Sequence, residues 1–184
     1  MSIRIISGKF KGFSIEVPNS ARPTLSRRRQ SLFDMLEATS PGGNGFFTEK
    51  IVMDCFAGSG AFGFEALSRG AARAYFIDSD SQSIALIHSN SKKMKTADST
   101  TIIHSKVEKL KRSSAAVDVV FLDPPYGKVS ISKVLEYLLH KGWISENTII
   151  ITEEDASKTE SFEEYQQIIS KIIGNTIFKI IQYK

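Results

Sequence analysis

Ile51-Val52-Met53-Asp54-Cys55-Phe56-Ala57-Gly58-Ser59-Gly60-Ala61-Phe62-Gly63 decides the fold. An apolar run ends in an acid, and three glycines at G-x-G-x-x-G spacing follow before the pattern turns helical. A short apolar run bounded by glycine reads as a buried strand. Glycine at these points allows a tight turn and close backbone approach to a ligand, and the helix that opens beyond offers free N–H groups. A phosphate loop of the Walker type is excluded, because no Gly-Lys-Ser/Thr follows.

Outward from this unit, strand and helix patterns alternate. The reading predicts strands over Ile51–Phe56, Ala74–Ile77, Thr100–His104, Val117–Leu122 and Thr148–Thr152, with helices near Ala61–Arg69, Ser83–Met94 and Ser130–His140. That rhythm argues for an α/β fold, a mostly parallel sheet with helices on both faces. The tail departs from it: Gln167–Ile173 and Thr176–Tyr183 are β-prone runs joined at Gly174-Asn175, so the last strand is expected to run antiparallel. Ahead of the sheet, Arg4–Val17 reads as a β-hairpin, and Ser26–Ala38 as a helix with Ser26 as N-cap and Leu32, Phe33, Met35 and Leu36 on its apolar side. The organisation expected is an N-terminal basic extension over 1–45 and a main domain over 46–184.

At 184 residues the chain can bury a core without disulfides or metal, and the single Cys55 reads as a small buried hydrophobe in the first strand. No apolar stretch is long enough to span a bilayer and the first residues lack a secretory core, so a cytoplasmic protein with no membrane partner and no metal is expected. The net charge of +4 is uneven. Residues 1–30 carry Arg4, Lys9, Lys11, Arg22, Arg27, Arg28 and Arg29 against Glu16 alone, a block that fits nucleic-acid phosphates. Three arginines in the first turn of a helix oppose its dipole, which also argues for an anionic partner.

Two strand ends carry the chemistry. In an open α/β sheet, ligands bind outside the carboxyl ends of the strands. Asp78, twenty residues beyond Gly58 and at the end of the second strand, can accept both hydroxyls of a ribose. Asp54 separates the two cofactor classes that share this pattern. An acid there can meet the ammonium of a methionine moiety, whereas a dinucleotide offers no cation and would leave the carboxylate buried without a partner. S-adenosylmethionine (SAM) is therefore preferred over a nicotinamide cofactor. The second strand end is Asp123-Pro124-Pro125-Tyr126. An exocyclic base amine is a poor nucleophile because its lone pair is delocalised into the ring. The Asp123 carboxylate and the Pro124 carbonyl could grip its two N–H groups and aim the lone pair at the sulfonium methyl, the prolines stiffening that carbonyl. Tyr126 could stack on a flipped base, with Pro125 beside it.

The sequence resembles the RsmD family, bacterial small-subunit (16S) ribosomal RNA (guanine-N2) methyltransferases. The resemblance rests on Arg4–Gly12, on Arg22-Pro23-Thr24 with Arg27, Arg29, Leu32 and Phe33, on the run Asp54–Ala71, on Asp123–Tyr126 and on the Gly174-Asn175-Thr176 hairpin. It implies a Rossmann-like class I SAM-dependent methyltransferase with a seven-stranded sheet. It also implies methyl transfer to the 2-amino group of a guanine in a small-subunit assembly particle. The catalytic set is then Asp123, Pro124 and Tyr126. The cofactor set is Asp54, Phe56, Gly58, Ser59, Gly60, Asp78, Ser105 and Asp123, and the RNA set is Pro125, Tyr126, Lys9, Lys11, Arg22, Arg27 and Arg29. A monomer is expected. The chain departs from the family where Ser26-Arg27-Arg28-Arg29-Gln30 replaces a usual Asp-Arg-Val-Arg-Glu, where Asp78 replaces a usual Glu, and where Ser105-Lys106-Val107 replaces Gly-Asp-Ala. Lys106 cannot accept from an adenine amine, so either a backbone group makes that contact or the correspondence with the family shifts locally. Alternative readings are a DNA or RNA adenine or cytosine amino-methyltransferase and a SAM-binding ribosome-assembly factor.

Overall fold

A computed structural model of the chain describes residues 2–17, 25–39, 45–125, 127 and 129–184, without the side chains of Leu25 and Ser26. Seven strands form one sheet: β3 (Ile51–Cys55), β4 (Arg73–Asp78), β5 (Thr100–His104), β6 (Val119–Leu122), β7 (Ile149–Asp155), β8 (Tyr165–Ile173) and β9 (Thr176–Tyr183). Their spatial order is β5-β4-β3-β6-β7-β9-β8. The first five run parallel, and β9 lies antiparallel between β7 and β8. The antiparallel last strand is as expected. Its turn is made at Gly174, where φ is +63°, a conformation only glycine adopts without strain.

Helices α2 (Ala61–Ser68), α3 (Ser81–Met94) and α4 (Ile131–His140) connect the parallel strands. Asp80 caps α3 by accepting from Ser83 N at 2.9 Å, and Ser130 caps α4. From β3 the chain steps to β4 and β5 on one side, then returns to β6 and β7 on the other. The order in which strands are added therefore reverses between the parallel neighbours β3 and β6, and a crevice opens at their carboxyl ends.

The N-terminal segment is part of this body. Strands β1 (Ser2–Arg4) and β2 (Ser14–Glu16) form an antiparallel hairpin, and helix α1 (Leu25–Ala38) follows. Helix α1 begins at Leu25, so Ser26 lies inside its first turn and is not its N-cap. Ile5, Ile15, Leu32, Phe33 and Leu36 share one core with Phe62, Phe64, Val119, Phe121 and Phe178 on the α2 face of the sheet. The opposite face is closed by α4, with Val134, Leu135, Leu138 and Trp143 against Met53, Cys55 and Ile150. Glu65 on α2 has no solvent exposure. It accepts from Ile6 N at 2.7 Å and Ser7 N at 3.0 Å while pairing with Arg69 at 2.9 Å. Gly8 sits so close to α2 that a Cβ would lie 1.8 Å from the Ser68 carbonyl oxygen. The hairpin is thus keyed onto α2 by buried hydrogen bonds as well as by packing.

Candidate active site

The crevice between the ends of β3 and β6 is a cavity of about 220 Å³. Asp54 and Phe56 bring β3 to it, Gly58 and Ser59 the turn, Phe121 and Asp123 β6, Glu153 β7, and Arg28 and Arg29 α1. The turn is built by backbone conformations that the sequence supports at a cost. Phe56 takes φ +60°, unusual for a side-chain-bearing residue, and Gly58 and Gly60 take +55° and +78°. A Cβ on Gly60 would meet the Phe64 ring at 2.7 Å, and one on Gly63 the Phe76 ring at 2.3 Å, so these glycines seat α2 against β4. Gly58 differs: a Cβ there would meet nothing within 4 Å. Its backbone faces open space, the cradle a close-lying ligand needs.

Electrostatically the cavity is a set of acids short of partners. Asp54 is fully buried, and its one hydrogen bond among the described residues is from Gly63 N at 3.0 Å. Burial, with Asp123 and Asp78 nearby, pushes its carboxyl well above the usual range. Burial likewise raises Asp123 to about 6, against the pull of Arg28, and raises Glu153 to about 8 with the Asp123 charge adding to the effect. The Leu122–Thr152 register pair sets Asp123 and Glu153 side by side at the ends of adjacent strands. Arg28 approaches Glu153 only to 4.0 Å. Arg28 and Arg29 stand on the α1 side of the same cavity, so the site carries both signs of charge, with the acids at the strand ends.

Of the residues the sequence singled out, Asp54, Phe56, Gly58, Ser59 and Asp123 are gathered at this cavity. Pro124 and Pro125 line a second cavity of about 180 Å³ beside it. Tyr126 and Arg22 lie outside the described residues. Asp78 does not line the first cavity. Its two oxygens accept from Gly58 N and Asp80 N, each at 2.8 Å, so its evident work is to fasten the glycine turn to β4. Gly60 acts through packing, and Ser105 donates to the Lys106 carbonyl at 2.9 Å, away from the cavity. Lys9, Lys11 and Arg27 are exposed, as phosphate contacts require.

Arg29 corrects the reading. It is only 8% exposed, and its Nη2 donates to the Arg4 carbonyl at 2.5 Å while Nε and Nη1 have no partner. It cannot serve as a surface phosphate contact, because the guanidinium is inside the fold. The signal was in the spacing: Arg29, Leu32, Phe33 and Leu36 lie at i, i+3, i+4 and i+7 on one helical stripe. The cavity acid missed from sequence is Glu153, which stands past Thr152 as Asp123 stands past Leu122.

Comparison with known proteins agrees with this architecture. Residues 3–182 match the family described as Conserved hypothetical protein 95. "Ribosomal RNA small subunit methyltransferase D" of Escherichia coli K12 is 32% identical over 155 residues, 83% of this chain and 75% of that protein. The protein of the same description from Buchnera aphidicola of Acyrthosiphon pisum is 30% identical over 178 residues, 95% and 90% of the two chains. The solved Escherichia coli structure described as "Putative methyltransferase yhhF" superposes with a TM-score of 0.84 at 29% identity, over 100% of this chain and 99% of that one. With its reversed parallel sheet, its glycine turn and its acid-lined crevice, the chain belongs to the Conserved hypothetical protein 95 family, the RsmD family of Rossmann-like methyltransferases.

Proposed function

We propose that this protein transfers a methyl group from SAM to the exocyclic 2-amino group of a guanine in small-subunit ribosomal RNA. The observation that carries the reading is one cavity in which an open glycine turn, Asp54 and Asp123 converge from β3 and β6. The residues fit the donor: Gly58 leaves the room a ligand backbone would fill, and Asp54, whose one hydrogen bond among the described residues is from Gly63 N, has an oxygen that can accept from an ammonium. SAM supplies an electrophilic methyl on a positively charged sulfur.

In this reading Asp54 accepts the ammonium of the donor's methionine end. Asp123 and the Pro124 carbonyl each accept one N–H of the base amine, which orients its lone pair. Asp123, raised to about 6, is tuned to hold the amine proton near neutral pH. Tyr126 stacks on the extruded base, and Lys9, Lys11, Arg22 and Arg27 meet the RNA backbone. The RNA follows the relatives described as small-subunit ribosomal RNA methyltransferases, and the guanine amine follows the resemblance to the RsmD family. A monomer acting in the cytoplasm on an assembling small subunit fits that substrate, and no helix among the described residues is long and apolar enough to cross a membrane.

The test is methyl transfer from labelled SAM to unmodified small ribosomal subunits, read by nucleoside mass spectrometry. The expected product is 2-methylguanosine, and Asp123→Ala should abolish it while SAM binding stays near wild type. Methylated adenine or cytosine would overturn the base assignment. SAM binding without any transfer would favour a non-catalytic assembly role.

A further inference from the structure

We infer that Glu153 reads the guanine ring by accepting its N1–H, a residue-level assignment that rests on the guanine-amine reading above. Two cavities flank β7 near its carboxyl end, one lined by Asp54, Gly58 and Asp123 and the other by Pro124, Pro125, Gly127 and Val129. Among the described residues Glu153 alone lines both. A base whose amine is held at Asp123, in the first lining, and at Pro124, in the second, would place its ring edge near Glu153, which belongs to both.

The acids around the second cavity are not equivalent. Glu154 pairs with Lys179 at 3.2 Å and accepts from Thr152 Oγ1 at 2.8 Å. Asp155 accepts from Ser157 N at 2.9 Å, and Glu160 accepts from Ile131 N at 2.7 Å and Ser132 N at 3.0 Å. Glu153 is 8% exposed and accepts no hydrogen bond among the described residues, its nearest cation being Arg28 at 4.0 Å. A carboxylate this little exposed, with no hydrogen bond from the described residues, keeps acceptor capacity that a bound base can use.

The chemistry of the three amine-bearing bases then selects one. Next to its amine, guanine carries N1–H, a donor; adenine has N1 and cytosine N3, both acceptors. A carboxylate beside the amine-gripping Asp123 satisfies guanine and opposes a lone pair on the other two. The free protein holds the Glu153 proton up to about 8, and Arg28 at 4.0 Å favours the ionised form that accepts N1–H, so the preference for guanine should sharpen as pH rises through that value.

The experiment compares wild type, Glu153→Met and Glu153→Gln on unmodified small subunits, with SAM affinity measured separately by calorimetry. Glu153→Met should lower kcat for 2-methylguanosine about 10- to 100-fold, the range of a hydrogen bond to a charged acceptor. SAM affinity should stay within about twofold of wild type, and Glu153→Gln, whose Oε1 can still accept, should recover part of the rate. Wild-type turnover in Glu153→Met would overturn the assignment. So would SAM affinity that falls in step with rate, or a Gln variant no better than Met. Absence of 2-methylguanosine from the wild-type reaction would instead overturn the reading of the site on which this assignment rests.

Discussion

Glu153 and Glu154 are consecutive residues of β7, both buried, yet one is woven into the protein and the other is not. Glu154 meets Lys179, Thr152 and the Glu160 N–H at 2.7 Å, and the Lys179 Nζ also donates to the Glu160 carbonyl at 2.8 Å. Glu153 stands beside Asp123 at a cavity, with Arg28 at 4.0 Å and no hydrogen bond from the described residues. Successive side chains of a strand point to opposite faces, so adjacent positions can serve opposite ends. A satisfied acid holds the fold together, whereas an unsatisfied one reserves its binding capacity for a ligand.

The strongest way to break this comparison is Lys179→Met. It leaves the Glu154 carboxylate buried and unpaired, and should cost about 3–5 kcal/mol in denaturant unfolding at pH 7. Glu153→Gln should act in the opposite sense and depend on pH. The folded chain holds the Glu153 proton up to about 8, against an ordinary value of 4.5, so the wild type loses stability as pH climbs through that window. The amide has no proton to lose, and its melting temperature should gain on wild type by about 10 °C between pH 5 and pH 8.5. A gap that does not widen with pH would mean that Glu153 is already neutralised by a partner. The smallest effect carries the comparison to the arginines. Exposed Arg27→Ala should reduce the salt slope of RNA binding by about one, while a change at buried Arg29 should leave that slope alone.

The parallel core was legible because glycine spacing and short apolar runs are local signals. The expected strand and helix ranges differ from the structure by a few residues at their ends. Strand β7 runs on to Asp155 because its two glutamates remain in the ladder opposite Phe178 and Ile177, where a sequence reader sees only an apolar run giving way to charge. Asp123 stood out because prolines mark its turn. Glu153 has no such flag, and its meaning depends on which strand lies beside it. The arginine run misled for a different reason. A helix advances about a third of a turn per residue, so Arg27, Arg28 and Arg29 fall in exposed, partly buried and buried surroundings although they read as one charged block.

The position of β9 bears on self-association. Strand β7 contains Ile149-Ile150-Ile151, and without β9 against it that run would present unpaired backbone along an apolar edge, a template for another chain. The outer edge is instead β8, where a register shift between Gln167 and Ile169 and the exposed Lys171 disfavour strand addition even though Ile168 and Ile172 face solvent. The two-residue turn at Gly174-Asn175 keeps these strands in that order, so damage there would show first as aggregation and only afterwards as lost chemistry.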